Sequence, residues 1–115
     1  MYLQLTAIAL VFFGEAFSIL AELVASKRVA ASGQFFEVFW PMFLLVVFAG
    51  GLLVAGYMLG YLHFKNIWII AAISVGSILI VEPLMAYALF RQLPTVGAGI
   101  GLVLGALGIL SALFL

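Results

Sequence analysis

LQLTAIALVFFGEAFSILAELVA, residues 3–25, is an apolar run interrupted by polar side chains only at Gln4, Thr6, Glu15, Ser18 and Glu22. A helix needs about 20 mostly apolar residues to cross a bilayer. This stretch meets that length, and it carries two carboxylates where hydrocarbon would be expected. Both facts shape the reading of the remaining chain.

The pattern recurs three times. Lys27 and Arg28, followed by Ser32-Gly33-Gln34, punctuate the first run; His63, Lys65 and Asn66 the second; Arg91, Gln92 and Pro94 the third. Four spans result, at about 3–25, 38–62, 67–90 and 95–114. Composition agrees. Of 115 residues, 69% are hydrophobic and 7% charged, four Lys/Arg balance four Asp/Glu, and cysteine is absent. Soluble domains carry about 25% charged residues. An ordinary soluble globule, a disordered tail, a disulfide-stapled module and a basic nucleic-acid binder are excluded. The expected fold is all-α: four antiparallel transmembrane helices in a compact bundle, one domain over residues 1–115. Such a chain is an integral, multi-pass protein, expected in the cell's inner or plasma membrane with the bilayer as its first partner. Loop one, residues 26–37, is the only connection with room for extra structure. Phe35, Phe36, Phe39 and Trp40 read as an interfacial aromatic belt.

The first span lacks the basic n-region of a cleaved signal peptide and is expected to be retained. No lipidation motif is present. Loops one and three hold Lys27, Arg28 and Arg91 against Lys65 in loop two, so the positive-inside rule favours cytoplasmic loops one and three, with both termini outside.

A carboxylate at the bilayer centre costs about 2.5–3.5 kcal/mol on insertion scales, so it usually faces protein or water. At about 100° per residue, Gln4, Ile8, Val11, Glu15, Ser18, Glu22 and Ser26 share one face. Glu15 lies near the middle of the span and is the leading proton or substrate site. A carboxyl withdrawn from water can hold a proton and surrender it when a cation arrives. The bland reading, a protonated Glu that only fixes packing, carries even weight. Glu22 lies nearer the interface, where pairing with Lys27 or Ser26 would account for it. Glu82 precedes Pro83, which removes the hydrogen bond to the Leu79 carbonyl and is expected to kink the helix. Polar residues beside such breaks line paths in transporters, or merely cap freed backbone. Tyr57 and Trp68 are further candidates for lining a site, Trp68 also being readable as an interface anchor. Glu37, beside the aromatic belt, reads as solvated.

The fourth span carries no charge. Gly97, Gly101 and Gly105 form two consecutive G-x-x-x-G steps, continued by Gly108, a stripe on which another helix can lie closely. Gly56 and Gly60 repeat this in the second span. A single histidine and no cysteine leave no His/Cys metal cluster, and no cofactor motif appears. An enzyme is not expected, for want of a nucleophile–base pair.

Together these features resemble the drug/metabolite transporter superfamily, in particular its four-helix small multidrug resistance members. The likeness rests on chain size, four spans and Gly14-Glu15 or Ala21-Glu22 in the first helix, Ile19-Leu20-Ala21-Glu22 being the nearer run. It extends to Pro83–Phe90, a short polar turn, and Ile100–Leu110; Glu82-Pro83 is similar to an acidic-proline pair in larger members. The resemblance implies a first-helix Glu that binds protons and cationic substrate competitively, and a dimer contact on the last helix between subunits that can be antiparallel. Four features depart from that family, one being that the turn after Arg91 lacks the acidic residue often found there. Positions 23 and 30, eight after each Glu, are Leu and Ala, where the family has Lys. Trp68 stands apart from Ser74 and Gly76, where the family has a Trp-Ser-Gly run. Glu82 is an additional carboxylate.

Two functions follow as expectations. One is a small transporter, proton-coupled or flippase-like, working as a homodimer or heterodimer, with Glu15, Glu22, Glu82, Tyr57 and Trp68 at the site and Gly97, Gly101, Gly105 and Gly108 at the seam. The other is a non-transporting subunit that docks to and stabilises a larger membrane complex.

Overall fold

The computed structural model describes residues 2–115, which form four helices: α1 (Tyr2–Ser32), α2 (Phe35–Phe64), α3 (Ile67–Phe90) and α4 (Val96–Phe114). All four are long and apolar enough to cross a membrane. The protein is an all-α, four-helix, multi-pass membrane protein.

The connections are tighter than the charges suggest. Residues 26–37, expected as a loop, are almost wholly helical: α1 runs on to Ser32 and α2 starts at Phe35. Lys27, Arg28, Ala30 and Ala31 are good helix formers, and a cation stops a helix only from entering lipid, not from continuing. What ends α1 is Gly33, at φ +71°, whose N–H donates to the Val29 carbonyl at 2.8 Å. The next two helices end on non-glycine residues in the same left-handed region. Lys65 and Arg91, both at φ 57°, donate their N–H groups to the carbonyls of Tyr61 and Tyr87. That conformation costs an L-residue about 1–2 kcal/mol, and a cation at a helix C-terminus offsets part of it. Asn66 and Thr95 then cap the following helices, accepting from the N–H groups of Trp68 and Ala98. α3 continues through Pro83 as one helix.

Packing follows a fixed register. Gln4 Nε2 donates to the His63 carbonyl, Val11 meets Gly56, and Gly14 meets Leu53. In each pair the residue numbers sum to about 67, which is an antiparallel α1–α2 hairpin. On its other side α1 lies parallel to α3, where Glu15 pairs with Ser74 and Lys27 with Leu89. α2 also touches α3, Gly60 lying against Ile70. The core is made of small or slender residues: Ala7, Val11, Ile19, Ala21, Ala49, Ile70, Ala72 and Val81. Lipid tails are as apolar as leucine, so close approach of backbones rather than exclusion of water holds these helices together.

α4 is set apart. It packs on α3 alone, antiparallel, through Leu79 on Gly105 and Ile109 beside Gly76, and it buries no residue. The molecule measures 46 × 34 × 17 Å. It is a flattened bundle, about two packed helices thick.

Candidate functional site

Glu15 sits half-buried on α1, facing α3. Ser74, itself buried, donates its hydroxyl to Glu15 Oε1 at 2.6 Å. The parallel register then determines where the other carboxylates fall. Seven residues on from each partner stand Glu22 and Val81, with Glu82 next to the latter. Seven helical residues rise about 10 Å. Glu22 therefore lies at the level of Glu82. Glu22 and Glu82 are exposed in the single chain. The arrangement has two levels: one carboxyl held by a serine at mid-helix, and a pair of carboxyls further toward the Lys27 end. The three do not form a group able to hold a metal ion, and no such group occurs among the described residues.

Pairing of Glu22 with Lys27 or Ser26 is not what the structure contains. Ser26 Oγ donates to the backbone carbonyl of Glu22, and Lys27 Nζ reaches across to the Leu89 carbonyl at 2.7 Å. Leu89 lies in the last turn of α3, where carbonyls lack intrahelical partners and the helix dipole favours a cation. The Glu22 carboxylate is left unengaged by its own helix.

Glu82 and Pro83 line a cavity of about 540 Å³ between α3 and α4, shared with Phe90, Gln92, Thr95 and Gly101. Its walls are largely hydrocarbon, with one carboxylate, an amide and a hydroxyl among them. Pro83 has no N–H, which leaves the Leu79 carbonyl without its usual donor beside this space.

The remaining sequence candidates are placed elsewhere. Trp68 is in the first turn of α3, 77% exposed and about 9 Å below Ser74 along the helix, a position suited to an interface anchor. Tyr57 is half-buried on α2, next to Gly56. Of the α4 glycines, Gly105 takes a helix contact, from Leu79; a methyl group added at Gly97, Gly101 or Gly108 would meet nothing within 4 Å. Ser74 was not foreseen. Its neighbour Ser77 is equally buried but donates to the Ile73 carbonyl in its own helix. The i, i+3 spacing of two serines in the otherwise apolar stretch before Glu82 was the available signal.

No family model matches the chain, and neither a curated protein nor a solved structure does.

Proposed function

We propose that this chain is a small membrane transporter that works as a dimer. It would exchange protons for a small cationic or amphipathic substrate, or move such a molecule between leaflets in the manner of a flippase. The observation that carries the reading is the Ser74–Glu15 hydrogen bond at mid-helix. A serine hydroxyl both donates and accepts, so it can hold the ionised carboxylate and can equally accept from the protonated acid. Glu15 thus keeps one partner through a cycle of proton binding and release. Glu22 and Glu82, one level along, offer a cation its next stop. A bundle about two helices thick offers little room for an enclosed path, and a second copy would supply a further wall.

The test uses purified protein in mild detergent with tetraphenylphosphonium, a lipophilic cation, as probe. Proton release on adding the probe is expected from the unmodified chain and absent from Glu15→Gln, which keeps shape and hydrogen bonding but cannot titrate. Equal release from both would remove Glu15 from the mechanism.

A second reading, a non-transporting subunit of a larger complex, is favoured by one feature: α4 buries nothing and touches α3 alone. Gentle extraction separates the two, a pair of identical chains supporting transport and co-purification with a large membrane enzyme supporting the subunit.

A further inference from the structure

The end of the molecule where α1 and α3 finish and α2 and α4 begin gathers a chemistry the carboxylates do not use. Lys27, Arg28 and Arg91 all lie there, against the single carboxylate of Glu37. Neither contact made by these cations neutralises them. Lys27 donates to a backbone carbonyl, and the Arg91 guanidinium stands 5.9 Å over the Tyr87 ring. Arg28 is exposed, and no bond described above involves its side chain. The opposite end has Lys65 and a histidine.

Beside the cations stands an aromatic shelf. Phe35 stacks on Phe39 and Phe39 on Phe43, with ring centroids 5.9 and 5.4 Å apart, and Trp40 packs edge-on against both Phe39 and Phe43. These rings are exposed. The amphipathic ring of Trp40 suits the level of lipid headgroups, and the phenyl rings beside it offer hydrocarbon surface. Phe35 and Phe39 also close one side of a cavity of about 160 Å³, whose other side is Ser26 and Val29 of α1. These two residues bracket Lys27 and Arg28 in the sequence.

We infer that this end is a docking surface for anionic phospholipid, with the headgroup phosphate drawn to Lys27, Arg28 and Arg91 and the hydrocarbon beneath it seated on the Phe39–Phe43 stack. Charge complementarity chooses the occupant. A zwitterionic headgroup gains nothing net from three cations, whereas each Lys or Arg near an anionic surface strengthens binding about five-fold. A free phosphate would find the cations but leave the rings and cavity unused. The inference does not depend on what the carboxylates carry.

The experiment uses the full chain in mild detergent, incubated with phosphatidylglycerol or phosphatidylcholine, and counts retained lipid by native mass spectrometry. Preferential retention of phosphatidylglycerol is expected. That preference should fall about five-fold in Arg28→Gln and again in Arg28→Gln/Arg91→Gln, shrink as sodium chloride is added to the unmodified protein, and survive Lys65→Gln and inorganic phosphate exchanged for chloride at constant ionic strength. Arg28→Gln disturbs none of the bonds described, and the salt titration needs no variant, so misfolding cannot mimic the result. Equal retention of both lipids would overturn the inference. So would a preference that outlasts the loss of Lys27, Arg28 and Arg91 together, that falls as far in Lys65→Gln, or that free phosphate abolishes at constant ionic strength.

Discussion

Replacing Gly56 with alanine tests the packing at its tightest point. A methyl group there would lie 2.6 Å from Val11 Cγ2, 3.0 Å from the Val11 backbone nitrogen and 3.2 Å from Leu10 Cβ. A rotamer change in Val11 relieves the first contact. The second is to backbone, so α1 and α2 must part by some tenths of an ångström near the middle of their hairpin. Overpacking of this kind costs about 1–3 kcal/mol. Alanine also gains up to about 1 kcal/mol over glycine in helix propensity, which would mask part of the loss. Gly51→Ala provides the reference, since a methyl group at Gly51 meets nothing within 4 Å and receives the same propensity gain. The two variants should therefore differ by about 1–3 kcal/mol in unfolding free energy, measured in bicelles by titration with a denaturing detergent. Adding Val11→Ala should recover only part of the difference, because the backbone contact remains and a buried valine is lost. Equal stability of Gly56→Ala and Gly51→Ala would refute the α1–α2 register on which the position of Glu15 rests.

Other outcomes follow from the same geometry. Ser74→Ala should weaken the α1–α3 pairing by about 0.6 kcal/mol, the average for hydrogen bonds between membrane helices, and by no more than about 1.7 kcal/mol; that loss should vanish in a Glu15→Leu background in a double-mutant cycle. Lys27→Gln should broaden the distance distribution between spin labels placed at the ends of α1 and α3, because the bond to the Leu89 carbonyl is what joins them there. Gly101→Leu and Gly108→Leu should not lower the single chain's stability, since both positions are open, and should dissociate a dimer seamed on α4; denaturing-detergent titration reads the first and sedimentation equilibrium the second. Thr95→Ala removes the α4 cap and should cost about 0.5–2 kcal/mol, visible as added hydrogen exchange in the first turn of that helix.

The number of helices was legible because hydropathy alone carries it, and the turns at Lys65 and Arg91 fell where charges interrupt the apolar runs. The first connection was misread for a definite reason. Lys27 and Arg28 mark where lipid can end, and the helix ignores them until Gly33 supplies the left-handed residue that stops it. Side-chain partners were less legible. The stripe through Glu15 was visible from periodicity, but its partner depends on the α1–α3 register, which is fixed by many small contacts among residues such as Ala21, Ala72 and Val81. A serine in a membrane helix usually bonds its own backbone, as Ser77 does, so Ser74 gave little sign of reaching further. The glycine stripe of α4 was plain in the sequence, yet the direction it faces was not. Only Gly105 is covered within the chain.

The attachment of α4 to α3 alone has a consequence for biogenesis. Every interhelical contact that holds α1, α2 and α3 together is contained in residues 2–90. The first three helices can thus reach their final arrangement before α4 docks, as chains generally fold from the N-terminal side. A nascent chain arrested after residue 90 already contains both halves of the Glu15–Ser74 bond, and the helix that follows joins an assembled unit instead of completing an unfinished one.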